Sequence, residues 1–419
     1  MFMSRLDDLI KSLCPDGVKF RKIKEVCTDI NTGLNPRKFF KVNTIDAENY
    51  YVTIREMVDG NIIFSDKTDK INDEAMMLCN NRSKLDENTV LFSGTGTIGR
   101  IVVLNEVPKN WNIKEGVYAL HPIITLIVPK YLGYVLQSSK IVSKYMNYVC
   151  GGTVKSIPMR DLKNVEIPVP PLEIQKEIVH LLDDFTAKTA ELQEELNKEY
   201  EARKKQYEYY VTRLFLNSES SWETMANIAS FVYGYTDKAK DIGDTRFIRI
   251  TDIDEQGNLK QEDAKYITMN DDAKKSLLSN GDLVMARTGA TYGKTLYFED
   301  ETPSVYASFL IKIIPNNNKL LNKYYWYFTK TYLYWNQANS LVTTGGQPQF
   351  NTPALKQVKI PVPSLERQKV IIDALDIYEN LYYVLQSKIS SEIESRQKQY
   401  EFYRDKLLTF KESNESEVN

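Results

Sequence analysis

The sequence predicts an α+β fold made twice: two α/β units in tandem, each followed by a long helix, with the two helices pairing as an antiparallel coiled coil with pseudo-twofold symmetry. Three observations carry that prediction. The chain repeats itself, IPVPPLEIQKE from Ile167 being answered by IPVPSLERQKV from Ile360 with 8 of 11 positions identical. Each repeat opens a stretch free of Pro and Gly, 173–215 and 366–410, enough for a helix of roughly 60 Å at ~1.5 Å per residue. Ahead of each stretch lies a mixed globular part with short strand-like runs such as NTVLF and RIVVLNE.

The repeat extends well beyond that boundary. RKKQYEYY at Arg203 is answered by RQKQYEFY at Arg396, and Gly151-Gly152 by Gly345-Gly346. VLFSGTGTIGR at Val90 answers VMARTGATYGK at Val284, and YVTIREMVDGN at Tyr51 answers FIRITDIDEQGN at Phe247 more loosely. The expected division is a first globular domain at 1–172, a central helix at 173–216, a second globular domain at 217–365, a C-terminal helix at 366–410 and a frayed polar tail at 411–419.

The helices are the most legible elements. Apolar positions recur at alternating spacings of four and three, a heptad seam: Ile178, Leu182, Phe185, Thr189, Leu192 and Leu196. The second copy supplies Ile371, Leu375, Tyr378, Tyr382, Leu385 and Ile389. After one four-four stutter the pattern resumes at Tyr200, Arg203, Tyr207, Tyr210 and Leu214, and at Ile393, Arg396, Tyr400, Tyr403 and Leu407. A single seam needs a partner, and the matched registers make each helix the partner of the other. Separate helices packed on their own domains are the bland alternative.

LFSGTGTIGR at Leu91 imitates the glycine spacing of a dinucleotide-binding turn, and its second copy, from Gly289 to Thr295, imitates a phosphate loop one residue short. Both lead from one strand into another. Neither offers the helix N-terminus that would hold a phosphate, so both read as tight turns of the scaffold. A backbone contact to DNA phosphate stays open, and a nucleotide-dependent enzyme is a third, remote reading.

Bulk composition excludes other classes. The chain has 419 residues, 42% apolar and 26% charged, room for two or three domains. Its four cysteines, Cys14, Cys27, Cys79 and Cys150, contain no C-x-x-C pair, which argues against zinc and disulfides and fits a cytoplasmic setting. The opening MFMSRLDDLIKSL is amphipathic and charged, unlike a signal peptide, and no apolar run is long enough to span a membrane. Neither His121 nor His180 is paired with a cysteine or with a second histidine, so no catalytic or metal site is expected. The net charge of −2 hides local asymmetry: residues 101–172 hold 8 basic against 4 acidic side chains, and basic residues cluster with aromatics at 35–41 (NPRKFFK) and 233–240 (YGYTDKAK). Such clusters suit phosphate and base-edge contact, though each also fits a solvated loop.

The two globular parts, the two long helices, the I-P-V-P-x-L-E-x-Q boundary at Ile167 and Ile360 and the opening LIKSLCPDGVKFRKIKEV together resemble the specificity subunit of type I restriction-modification enzymes, over essentially the whole chain. The resemblance implies that each globular part is a target recognition domain for one half of a split double-stranded DNA sequence, with the helices as spacer. It implies two methyltransferase (modification) subunits docked on the helices, and restriction/translocase subunits beyond them. Catalysis, S-adenosylmethionine and ATP with Mg would belong to those partners, leaving this chain non-enzymatic and without a cofactor or metal of its own. Because the two readers differ, the target should be asymmetric, with its two half-sites in fixed groove phase. Residues that differ between copies are the candidate DNA contacts: Asn35, Arg37, Lys38 and Arg100 in the first domain, and Tyr235, Lys238, Lys240, Arg287, Lys294, Gln347 and Gln349 in the second. The alternative is a coiled-coil adaptor that scaffolds other proteins without reading DNA.

Overall fold

A computed structural model describes residues 2–216, 220–343 and 346–413, with the side chains of 2–4, 36 and 37 outside that description. The chain forms two compact units, Met1–Glu194 with Glu392–Asn419, and Glu195–Ser391. Each unit therefore contains part of each long helix.

In the first unit a four-stranded antiparallel sheet runs in the order Cys27–Thr32, Val117–Pro122, Val90–Ser93, Ile101–Val103. Val90, Leu91 and Phe92 are fully buried, as expected of a central strand covered on both faces. A smaller sheet, Lys70–Ile71, Asn49–Val52 and Trp111–Ile113, packs beside it and contains one parallel pair. In the second unit the same two sheets recur. One runs Ala229–Tyr233, Leu310–Pro315, Leu283–Ala286, Thr295–Tyr297, and the other joins Tyr266–Ile267, Thr245–Ile248 and Ser304–Tyr306. The strand Phe20–Lys22 pairs with Glu166–Pro168, and Ser221–Thr224 with Lys359–Val362, so the proline-rich boundary begins as an edge strand in each unit.

The long helices run Leu172–Leu216 and Leu365–Leu407, 45 and 43 residues. The second ends at Leu407, three residues short of the expected 410. In the second unit their pairing is antiparallel: Tyr200 and Tyr207 meet Tyr382, while Tyr210, further along, stacks on Tyr378, earlier in its helix. In the first unit Phe185 packs on Tyr400 and Tyr403. Seam burial is uneven. Ile178, Leu182, Ile371 and Leu375 are fully buried because the globular core covers the seam there as well. Leu192, Leu196 and Leu385 are half-buried, since a lone helix pair leaves its seam one open flank, and Tyr207 and Tyr400 are half-buried at the margins of the two globular cores. Ile389 is buried, and Tyr378 is 42% exposed although its ring is stacked.

Each long helix is fixed to its domain by the same polar clip. The buried Gln175 amide accepts from the Val128 N–H (2.8 Å) and donates to the carbonyls of Leu126 and Pro170 (2.9 and 2.7 Å). Gln368 accepts from Leu321 (2.9 Å) and donates to Lys319 and Pro363 (2.7 and 3.0 Å). Tyr131 and Tyr324 donate to the boundary carbonyls of Pro168 and Pro361. Lys130 and Tyr134 both hold Asp183, as Lys323 and Tyr327 hold Asp376. The second unit adds Lys330, whose ammonium lies 3.3 Å over the Trp326 ring and pairs with Glu379 at 2.5 Å. Burial holds that ammonium below the usual lysine range, against the pull of Glu379.

Two expectations need correction. The tail is not frayed from 411. Val18 donates to the Lys411 carbonyl (2.8 Å) and Ser413 donates to Val18 (3.0 Å), an approach that the bare Gly17 permits, because a Cβ there would sit 2.7 Å from the Lys411 oxygen. Residues 414–419 lie outside the described ones. The repeat register at the glycine turn also shifts by one. Val90 pairs opposite Leu120 and Leu283 opposite Ile313, so Val90 corresponds to Leu283 and not to Val284. The second turn absorbs one extra residue in a 3-10 turn, Gly289–Thr291.

Candidate nucleic-acid interface

The glycine turns lead from strand to strand in both units, and their N–H groups serve the protein itself. Gly94 donates to Gly116, Gly96 to Lys155 and Gly99 to Ser93; Gly289 donates to Pro348 and Gly293 to Ala286. Gly96 and Gly289 hold φ of 71° and 72°, the left-handed region that glycine enters without a Cβ clash. Beside each turn sits a hairpin closed by isolated bridges. Thr95 bridges Ser156, which bridges Cys150; Thr288 bridges Gln349, which bridges Thr343. Of that second hairpin, Thr344 and Gly345 lie outside the described residues.

The loop after the first strand of the main sheet is also equivalent in the two units. Leu34 bridges Lys114 and Tyr235 bridges Ala307, both in parallel sense, and both loops leave through a glycine, Gly33 or Gly234, packed against the partner backbone. This aligns the 35–41 and 233–240 clusters structurally, at the same end of the sheet as the hairpin. Lys38, Phe39, Lys238 and Lys240 are exposed there. The Asn35 amide donates to Glu115 (2.7 Å), and Tyr235 accepts from Asn270 (2.8 Å). The Arg37 side chain lies outside the described ones.

Arg100 and Lys294 close the two turns and are committed to partners within their own units. Arg100 donates to the carbonyls of Ile54 and Met57, both at 2.9 Å. Lys294 pairs with Glu255 at 2.6 Å, and that hydrogen bond holds the Glu255 carboxyl below the usual carboxylate range. Gln347 and Gln349 are exposed, and the Gln347 amide lies over Gly289. Arg287 leaves the strand Leu283–Ala286 with its guanidinium 5.4 Å from the Tyr233 ring and 5.6 Å from the Phe309 ring. Sequence reasoning singled out Arg287 but missed both rings, which come from the strand Ala229–Tyr233 and from the turn before Leu310–Pro315. It also missed the clip, although K-Y-x-x-Y at 130–134 and 323–327 carries the same offset as the boundary.

No group of three or more metal-ligating side chains occurs among the described residues, and none of their helices is long and apolar enough to cross a membrane. His121 has one ring nitrogen 3.4 Å from the Thr89 hydroxyl and is held below the usual histidine range by burial. Cys14, Cys27 and Cys79 are buried and Cys150 is exposed, all as free thiols. Burial pushes the thiols of Cys27 and Cys79 up to about 12.

A domain that occurs twice is what comparison with known proteins also finds. The type I restriction modification DNA specificity domain matches residues 15–202 and again 221–395. The chain belongs to that family. The specificity subunit of the Escherichia coli type I enzyme EcoR124I/EcoR124II is 32% identical over 276 residues, 59% of this chain and 63% of that subunit. A Haemophilus influenzae protein described as a putative type I specificity subunit is 30% identical over 279 residues, 64% of this chain and 69% of its own length. The match thus spans somewhat under two thirds of the E. coli relative. The fold is shared with a chain solved in work on assembly of the type I R-M system, at TM-score 0.72 and 16% identity, covering 94% of this chain and 98% of that one.

Proposed function

We propose that this chain is the DNA-reading subunit of a type I restriction-modification complex, non-catalytic by itself. Each unit reads one half of a bipartite, asymmetric double-stranded target, and the long helices set the half-site spacing. The observation that carries this reading is the division of the repeat. The clip, the turns and the boundary are kept in both copies, while the exposed loops at one sheet end differ in charge and shape. Two modification subunits dock on the helices, bring S-adenosylmethionine and methylate adenine; restriction subunits bring ATP and Mg. The complex works in the cytoplasm, in keeping with the free thiols.

A docking face is available on the second long helix. Val370, Ala374, Ile377, Leu381 and Val384 repeat at four-three spacing one residue ahead of the buried seam, about 100° around the helix. Val370, Ile377 and Leu381 are each more than half exposed. A family match that covers both globular parts favours DNA reading over a bare coiled-coil adaptor.

The test is to co-express the chain with the modification subunit of its own system and map methylated adenines across the host DNA. One bipartite motif, methylated on both strands at a fixed gap, is expected. Complex formation without any methylated motif would return the adaptor reading.

A further inference from the structure

On the DNA-reading function just proposed rests a more specific assignment. We propose that Arg287 reads a guanine in the half-site of the second unit, donating both terminal nitrogens to O6 and N7 in the major groove.

The side chain is held as a rigid fork. Its Nε donates to the Ser308 carbonyl at 3.0 Å, which turns the guanidinium plane and leaves the terminal nitrogens pointing away from that bond. The backbone on both sides is fixed too. The Arg287 N–H donates to Phe309 (3.0 Å), and its carbonyl accepts from Phe350 (2.8 Å). Tyr233 and Phe309 flank the cation and are themselves 46% and 53% exposed, so this is a surface platform and not core packing. The exposed Gln347 and Gln349 stand on the adjoining hairpin. Four chain segments thus bring a planar cation, two aromatic rings and two amides to one sheet end.

Chemistry selects guanine. A phosphate contact needs only a nearby charge, which a mobile lysine supplies. A pre-set planar fork matches two acceptors side by side, and among the bases only guanine offers two acceptors on its major-groove edge. The fork also belongs to this unit alone. The strand register puts Gly94 opposite Arg287 in the repeat, Gly116 opposite Phe309 and Thr32 opposite Tyr233. A residue kept for folding would recur; this trio is replaced by two glycines and a threonine.

Methylated adenines are mapped for the complex of the whole chain with its modification subunits, comparing the parent with Arg287→Ala. One guanine position in one half-site should pass from required to tolerated. Sites altered there should gain about ten- to a hundredfold in relative methylation, while the other half-site keeps every letter. Unchanged letters with uniformly weaker methylation would mark a phosphate contact and overturn the assignment, as would relaxation at a base other than guanine. If Arg287→Ala abolishes methylation, Arg287→Lys and Phe309→Leu decide: both should relax the same guanine, and an unaltered motif in both overturns the proposal. A parent complex without a bipartite motif would instead overturn the DNA-reading function beneath it.

Discussion

The two units share their scaffold and differ at one surface. Where each long helix enters its domain they agree atom for atom: Gln175 and Gln368 make the same three hydrogen bonds, and Asp183 and Asp376 take the same lysine and tyrosine. At the sheet end they diverge, glycine facing arginine and threonine facing tyrosine. Duplication kept what fixes the helix and left the sheet-end surface to differ. The contrast predicts which substitutions behave alike in the two units and which do not.

The largest effect should be symmetric. Gln175→Ala and Gln368→Ala each strand a buried N–H and two carbonyls, at a cost of about 3–5 kcal/mol in either unit. Denaturant unfolding of the two variants should give similar losses; a loss confined to one would break the equivalence of the clips. The next effect should be one-sided. Lys330→Met leaves Glu379 without its cation in a pocket that leaves the two side chains only 13% and 14% exposed, costing roughly 3 kcal/mol. The first unit has Gln137 and Thr186 at these places. The double change Lys330→Gln with Glu379→Thr should therefore recover most of the loss.

Gly94 offers a sharper probe. A Cβ there would lie 2.3 Å from the Tyr118 ring, whereas its counterpart Arg287 carries a full side chain because Ile311 stands where Tyr118 does. Gly94→Ala should destabilise the first unit by about 2 kcal/mol. In a double-mutant cycle with Tyr118→Ile, the two changes should couple favourably by about 1–2 kcal/mol. Simple additivity would mean that the ring does not decide what residue 94 can be.

Much of this architecture was legible in the residues. An unbroken heptad seam without Pro or Gly leaves little freedom, so the two helices fall within a few residues of their expected ends, and the boundary motif marks where each begins. The turn register was not legible. A gapless comparison matches Gly99 to Gly293 and hides the extra residue that only strand pairing reveals. The seam could not announce its half-buried middle, because spacing tells which positions face a partner and not how much else covers them. The Arg287 platform was out of reach for another reason: Tyr233, Arg287 and Phe309 stand at the ends of three different strands, and sequence distance carries no trace of their meeting. Arg100 and Lys294 looked like free cations for the same reason, since their partners Ile54, Met57 and Glu255 come from segments far upstream.

Those two cations give the smallest and last test. Both close a glycine turn, but Arg100 binds carbonyls that do not titrate, while Lys294 binds a carboxylate that does. The Glu255 carboxyl lies below its usual value of about 4.3 when folded, so the unfolded chain takes up its proton first as acid is added. The contribution of the pair is therefore complete above that value and fades as pH falls through the lowered one. Glu255 is 79% exposed, so solvent and salt screen the interaction and about 0.5 kcal/mol is all it should supply. Comparing the parent with Glu255→Gln from pH 6 down to pH 3 should show a gap that narrows with acid and shrinks in high salt. A gap that stays constant would mean that the substitution costs packing rather than charge, and that the second turn, like the first, is held without an ion pair.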